Sequence, residues 1–359
     1  MENTIAVNAR FLTQSITGVQ RFAIELSRRL KGIYGSEIQF FAPKNIVNAE
    51  LADELNIIII GHNTGHIWEQ MDLPNFLKSK GNPLLLNLAN TAPLFYKNKI
   101  VTIHDVAFLA YPETYSKKFL FFYKFLIPKV IYSSKHVLTV SDFSKSEIVK
   151  FYKISQDKIT VIYNAVANQF SIGSSSLEQA KVPYLVAVSS LNYRKNLHSV
   201  LAAFQRISNE YNNNLQLIVI GDIKSKIFKS IDIQEYSSNT AFQFVGRVSD
   251  EELIKFYTNA LGFIYPSYYE GFGIPPLEAQ ACGCPVIVSN VSSLPEVFKD
   301  SALYCNPNSI DEISNAMITL VKDKALREQL VEKGRQNLLR FSWDQSALKL
   351  SNIINNNIK

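Results

Sequence analysis

Several things are scarce or missing in this chain of 359 residues. There are three cysteines, Cys282, Cys284 and Cys305, too few for a disulfide framework, and no His cluster stands near Cys-x-Cys to make a zinc site. That usage points to a reducing compartment. No Asp-x-Asp occurs and no His, Cys and carboxylate group has ligand spacing, so a divalent cation has no evident protein ligands. The loop G-x-x-x-x-G-K-[ST] is missing, which argues against a P-loop enzyme. No G-x-G-x-x-G follows the first strand-like run, which disfavours a nicotinamide or flavin enzyme, and there is no G-x-S-x-G elbow. The longest apolar runs, NIIII at 56–60 and FLFFYKFLI at 119–127, fall far short of the roughly 20 residues that span a bilayer. The strand-like TIAVNA begins almost at the N-terminus, leaving no room for a secretion signal. The expectation is a soluble or peripheral protein of the cytoplasm.

What is present excludes disorder, because 47% of residues are hydrophobic and 19% charged, enough apolar material to bury a core. The length suggests two domains. The formal charge is +6, from 37 Lys and Arg against 31 Asp and Glu. Residues 1–170 hold 19 basic and 13 acidic side chains, so the remainder holds 18 of each and all of the excess lies in the first half. A nucleic-acid binder would carry a denser basic stripe, so an anionic substrate or an anionic membrane surface is the better reading.

Short Val- and Ile-rich runs alternate with amphipathic segments, the rhythm of βα units and parallel sheets. Strands are expected at 4–8, 37–42, 56–60, 84–88, 100–104, 136–140 and 158–163, with helices at 19–31, 66–79, 116–134 and 142–152. After a polar, Ser-rich linker near 168–181 come strands at 184–189, 215–220, 242–245, 261–266 and 285–289. The fold class is α/β, with two doubly wound domains. Ligands of such sheets sit beyond the carboxyl ends of the strands, so reactive residues just after a strand count for most.

Four places qualify. In LGFIYPSYYEGFGIPPLEAQACGCPVIV, 261–288, a loop with Gly271, Phe272 and Gly273 leads into a helix opened by Pro275 and Pro276 and closed by Gly283. Small residues there let backbone amides approach an anion. Glu270 and Glu278 flank the turn. Glu278 has a plain alternative as a first-turn carboxylate complementing the helix dipole. Glu270, among Tyr268, Tyr269 and Phe272, is costly unless it binds hydroxyls or a cation. In YLVAVSSLNYRKNL, Arg194 and Lys195 precede a helix, where cations oppose the dipole unless an anion is bound, so they form a candidate diphosphate clamp; the alternative is a solvated basic turn. In IVTIHDVAFL, His104 ends a strand and is placed to donate to a substrate hydroxyl, unless it is a structural residue. In SITGVQRFAI, Gly18 precedes a helix and can bring amides to a phosphate. A further segment, 115–135, interleaves Lys117, Lys118, Lys124, Lys129 and Lys135 with Phe119, Phe121, Phe122 and Phe125. It reads as a helix packed on the sheet with Lys stems reaching outward, or as one that touches anionic lipid.

The E-x7-E of EGFGIPPLEAQACGCPVI, the basic pair of SLNYRKNL, and VTIHDVAFL, VSDFSKSEI, VIYNAV, WEQMDLP and NLANTAP together resemble the retaining glycosyltransferases of family four, in the subgroup of bacterial O-antigen and capsule assembly that includes many mannosyltransferases. The resemblance implies the GT-B fold: residues 1–170 as an acceptor-side Rossmann-like domain, 171–340 as a sugar-nucleotide-binding one, a cleft between them, and 341–359 as a helix crossing back to the first. It implies that Arg194 and Lys195 hold the donor diphosphate, that Glu278 binds the ribose, and that Glu270 with the amides of Gly271, Phe272 and Gly273 supports the sugar and phosphate. His104 would reach the sugar and Gly18 the diphosphate. The chain departs from the family at Thr17, where a second glycine is frequent, at Ala165, where Asn-Gly-Val is usual, and at Ser189. No cofactor or metal is implied. The partners would be a sugar nucleotide, GDP-mannose first, a lipid-linked saccharide and an anionic membrane surface at the inner face of the inner membrane. A sugar-nucleotide epimerase of the same fold, or a non-catalytic sugar-nucleotide-binding subunit of an assembly complex, are the other readings.

Overall fold

Strands form where Val, Ile and Leu runs are buried on both faces, the pattern that a parallel sheet covered by helices demands. The computed structural model describes residues 4–170, 182–188, 192–208, 214–221 and 236–358. Two units result, Met1–Asn164 with Ser342–Lys359, and Ala165–Phe341. Most of the expected linker, residues 171–181, lies outside the described residues, as does Ser189.

The first unit holds β1 (Ile5–Asn8), β2 (Ile38–Ala42), β3 (Ile58–Ile59), β4 (Leu84–Asn87), β5 (Lys99–Thr102), β6 (His136–Thr139) and β7 (Ile159–Val161) in the spatial order β3-β2-β1-β4-β5-β6-β7. The second holds β8 (Tyr184–Val188), β9 (Gln216–Ile220), β10 (Phe242–Gly246), β11 (Gly262–Tyr265), β12 (Val286–Ser289) and β13 (Leu303–Cys305) in the order β10-β9-β8-β11-β12-β13. All neighbours pair in parallel, β1 with β4 through Ile5 opposite Leu84 and β8 with β11 through Leu185 opposite Gly262. In each sheet the chain winds outward from the first strand and then returns to its other side. The loops leaving β1 and β4, and those leaving β8 and β11, therefore diverge and open a crevice at the strand ends.

Phe41, Trp68, Leu77, Leu85 and Tyr96 pack one layer of the first unit and Val101, Ile127, Val130 and Ile148 another. Leu185, Leu201, Phe204, Val219, Ile264, Ile287 and Met317 fill the second unit. Each such side chain contributes about 1.5–3 kcal/mol by leaving water. The helix Trp343–Ile358 belongs to the first unit. Trp343 meets Phe22 edge-on at 6.0 Å, and the Tyr34 hydroxyl pairs with Ser351 Oγ at 2.8 Å.

The α/β class with two doubly wound parallel sheets is the fold observed. Three details differ from the sequence reading. β13 is missed by that reading because an edge strand of three residues has no periodicity to detect. β5 starts one residue early, at the fully buried Lys99, whose ammonium donates to the carbonyl of Tyr96 at 2.7 Å and to Ser133 Oγ at 2.8 Å. Burial lowers that lysine's pKa to about 8. The expected helix 66–79 contains a π-helical stretch, Trp68–Asp72, in which the Leu73 amide bonds the Trp68 carbonyl. Pro74 has no N–H to give the Gln70 carbonyl, so the ladder lengthens there.

Candidate functional site

The loop after β8 carries the basic pair. Asn192 Oδ1 accepts from the Arg194 amide at 3.1 Å and opens a single 3-10 turn, Tyr193–Lys195. Asn196 follows in the left-handed conformation with φ 57°, which asparagine tolerates better than most side chains. Its side-chain nitrogen donates to the carbonyls of Pro266 at 3.0 Å and Pro307 at 2.7 Å, fastening this loop to the one after β11. Neither asparagine was among the sequence candidates. Their signal is their position on either side of the basic pair in NYRKN.

The loop after β11 closes on the same place. The Tyr268 amide donates to the Arg194 carbonyl at 2.8 Å, and Arg194 Nη1 donates to the Tyr269 carbonyl at 2.9 Å. Lys195 Nζ donates to Glu270 Oε1 at 2.7 Å and also to the Tyr265 hydroxyl. Glu270 is buried, and its backbone is pinned by Ser293 Oγ, which donates to its carbonyl at 2.9 Å. Burial pushes the Glu270 carboxyl toward protonation; Lys195, then Arg194, outweigh it and hold the pKa below the usual range. The result is a carboxylate fixed by Lys195, with Arg194 held on the neighbouring Tyr269 carbonyl.

Gly273 caps the following helix, Ile274–Ala281, at φ 101°. A Cβ there would stand 2.6 Å from Leu294 Cδ2, so the close turn needs glycine. Pro275 and Pro276 occupy the first turn, and after Gly283, at φ 76°, the Cys284 amide returns to the Ala279 carbonyl at 2.9 Å. Phe272 is buried edge-on to Phe341 at 5.3 Å, so its side chain is core and only its backbone can serve a ligand. The helix has no acidic residue in its first turn; Glu278 is its fifth residue and is buried, so the plain dipole-complement reading does not hold. Its charge helps raise the pKa of Cys282, after burial. The structure thus brings Arg194, Lys195 and Glu270 together, with Gly271, Phe272 and Gly273 in the same loop and Glu278 just beyond.

Gly18 and His104 belong to the first unit. Gly18 is exposed and is the first residue of the helix Gly18–Tyr34, before which the Thr17 amide donates to Gln20 Oε1 at 3.2 Å. His104 lies past the end of β5, its amide donating to Asn90 Oδ1 at 2.8 Å and its ring edge-on to Phe22 at 4.9 Å. Burial lowers its pKa, against the pull of the Leu88 carbonyl and of Asp105. The expectation that His104 donates to a hydroxyl is corrected here. Nε2 lies 3.1 Å from the Leu88 carbonyl, an acceptor only, so Nε2 carries the proton and the remaining Nδ1 can only accept. Among the described residues no three His, Cys, Asp or Glu side chains converge as ligands for a metal ion.

Two Rossmann-like units, the second with a cation and carboxylate cluster where its strand order reverses, define a glycosyltransferase of the GT-B fold. A family model for glycosyl transferases group 1 matches residues 169–337, and one for glycosyltransferase family 4 matches residues 16–170. The chain belongs to glycosyltransferase family 4. It is 34% identical over 276 residues to the O-antigen chain mannosyltransferase RfbU of Salmonella typhimurium, covering 77% of this chain and 74% of that protein. It is 30% identical over 279 residues to O-antigen chain mannosyltransferase B of Escherichia coli, covering 72% of each. Among solved structures, Anabaena HepE in complex with UDP and glucose aligns with a TM-score of 0.75 at 16% identity over 99% of this chain and 100% of that one.

Proposed function

We propose that this glycosyltransferase moves mannose from GDP-mannose to a lipid-linked saccharide in the assembly of O-antigen or capsule, with retention of anomeric configuration and without a metal. The observation that carries the reading is the convergence of Lys195 on the Glu270 carboxylate and of Arg194 on the neighbouring Tyr269 carbonyl at the ends of β8 and β11. Two cations and a helix N-terminus suit a departing diphosphate, whose charge they stabilise as it forms. Glu270, ionised and already bonded by Lys195, is an acceptor for sugar hydroxyls rather than a free nucleophile. The acceptor hydroxyl then attacks from the face on which the diphosphate leaves. The bond from C1 to phosphate oxygen breaks as that from C1 to acceptor oxygen forms, and the leaving phosphate takes the acceptor's proton. Buried Glu278 would hold the ribose hydroxyls, and His104 would accept from the donor sugar at Nδ1. Mannose is favoured by the names of the two bacterial relatives.

A membrane-facing role for the first unit is supported by the helix Lys117–Ser133. Its outer stripe of Lys118, Phe121, Lys124, Phe125 and Lys129 is exposed, Phe121 by 80%, and Lys129 Nζ sits 3.4 Å from the Phe125 ring centre. Lys135 does not share this stripe, because its ammonium donates to the Asn357 carbonyl at 2.8 Å. Among the described residues no helix is long and apolar enough to cross a membrane. The inner face of the inner membrane is where the lipid-linked acceptor would be met.

A thermal-shift panel of sugar nucleotides tests the donor. GDP-mannose should raise the melting temperature most, since a ligand at 100 times its dissociation constant adds about 2.7 kcal/mol of stability. No shift with any sugar nucleotide would reject the reading.

A further inference from the structure

The first unit also has a buried ion pair at its own strand reversal, and nothing in the donor chemistry uses it. Arg10 stands just after β1, Thr91 follows β4, and Glu69 lies in the π-helical stretch Trp68–Asp72, a kind of bulge often found at functional sites. Glu69 Oε1 accepts from Asn8 Nδ2 at 2.8 Å, from Thr91 Oγ1 at 3.0 Å and from Arg10 Nε at 3.2 Å, while His66 Nδ1 lies 3.4 Å from Oε2. Asn8 Nδ2 also reaches Asn87 Oδ1 at 3.0 Å, tying β1 to β4. The carboxylate is 1% exposed, and its Oε1 accepts from three donors. Burial alone would raise its pKa, but His66, Arg10 and Asn8 bring it down to about 2, too low for a general base at neutral pH.

Glu69 is thus a positioning residue, and what it positions is Arg10. The Arg10 side chain is 10% exposed. Its Nε is held by Glu69 and its Nη2 by Thr91 Oγ1 at 2.7 Å, whereas Nη1 has no hydrogen-bond partner among the described residues. The Tyr123 hydroxyl likewise has no hydrogen-bond partner among the described residues; its helix reaches this cluster through Phe122, whose ring centre lies 4.9 Å from that of His66, and burial raises the Tyr123 pKa against the pull of Arg10. Stability alone is a poor reason for such a pair, because well-packed apolar groups usually do as well. A phosphate is a poor fit too, since Glu69 already neutralises Arg10. A neutral hydroxyl is the better match for a charged donor fixed in place without net charge.

Resting on the glycosyltransferase reading above, we infer that Arg10 Nη1 and the Tyr123 hydroxyl form a saccharide subsite that holds the acceptor sugar by its hydroxyls. Tyr123 lies on the helix Lys117–Ser133, so the subsite adjoins the segment that carries the exposed Lys and Phe stripe. A sugar with an apolar tail would therefore meet both.

The test compares the full-length protein with R10K, which retains a cation for Glu69 but loses the fork, and Y123F, which loses only a hydroxyl. Initial rates are measured against n-octyl α-D-mannopyranoside and separately against GDP-mannose. In R10K the KM for the octyl mannoside should rise about tenfold, the loss of one charge-assisted hydrogen bond, and in Y123F about threefold to fivefold. The KM for GDP-mannose should stay within about twofold of wild type in both, since both substitutions act on the acceptor side alone. Y123F decides the matter if R10K does not fold. An octyl mannoside KM unchanged in folded variants would reduce the cluster to a clasp between loops and overturn the subsite. A wild-type protein that turns over no GDP-mannose would instead indict the donor reading.

Discussion

The two units share a strand order and use it differently. In each, the first and fourth strands are neighbours, and beyond their ends a cation meets a buried carboxylate: Arg10 with Glu69 past β1 and β4, and Lys195 with Glu270 past β8 and β11. In the second unit Arg194 joins the pair, so positive charge exceeds the carboxylate it surrounds. In the first, Arg10 and Glu69 match charge for charge, and Asn8, Asn87 and Thr91 supply neutral partners. On the proposed reading, one crevice suits an anion that leaves and the other hydroxyls that stay. On that reading the +6 formal charge of the chain, concentrated in residues 1–170, is not a donor-binding charge. It lies in the unit that carries the exposed Lys and Phe stripe.

Changes in the second unit should have the largest effects. R194A removes one of the two cations and should cut turnover at least tenfold, since one such electrostatic partner is worth about 2–4 kcal/mol. Steady-state rates at saturating GDP-mannose check this, and unchanged turnover would take Arg194 out of the mechanism. G273A comes next. It forces a side chain into φ 101° and against Leu294, and should lower stability by about 1–3 kcal/mol in a thermal melt. A melting temperature equal to that of wild type would mean that the loop relaxes freely.

The smallest effect is a pH dependence in the first unit. Glu69 has a pKa of about 2 when folded against an ordinary 4.5, so the unfolded chain binds the extra proton. Its stabilising contribution is complete above pH 4.5 and is lost as pH falls toward 2. The melting-temperature difference between wild type and E69Q should accordingly be widest above pH 4.5 and narrow below it. A difference that stays constant with pH would show that Glu69 is not the ionised partner of Arg10.

The comparison also explains what could be read from the chain. Glu270, Gly271, Gly273 and Glu278 lie within nine consecutive residues, and Arg194 and Lys195 are adjacent, so spacing alone flags them. Their convergence needs only the rule that ligands gather at the reversal of a parallel sheet. The buried cluster of the first unit is scattered, with Arg10 and Thr91 standing 81 positions apart, and an arginine, a glutamate and a threonine that far apart leave no local pattern. Asn196 was hidden for another reason, because its role is a left-handed backbone and two carbonyl partners in distant loops. His104 was found by its position after a strand, but the direction of its hydrogen bond depends on the Leu88 carbonyl, which spacing does not reveal. β13, with three residues at a sheet edge, was below the length at which alternation can be seen.

On the proposed reading the reversal point of the second sheet, and not that of the first, binds the sugar nucleotide. Calorimetric titration of GDP-mannose into wild type, K195A and R10K tests it most directly. K195A should weaken the dissociation constant at least tenfold, about 1.4 kcal/mol, while R10K should bind as wild type does. K195A binding as tightly as wild type, or R10K losing the nucleotide, would contradict it.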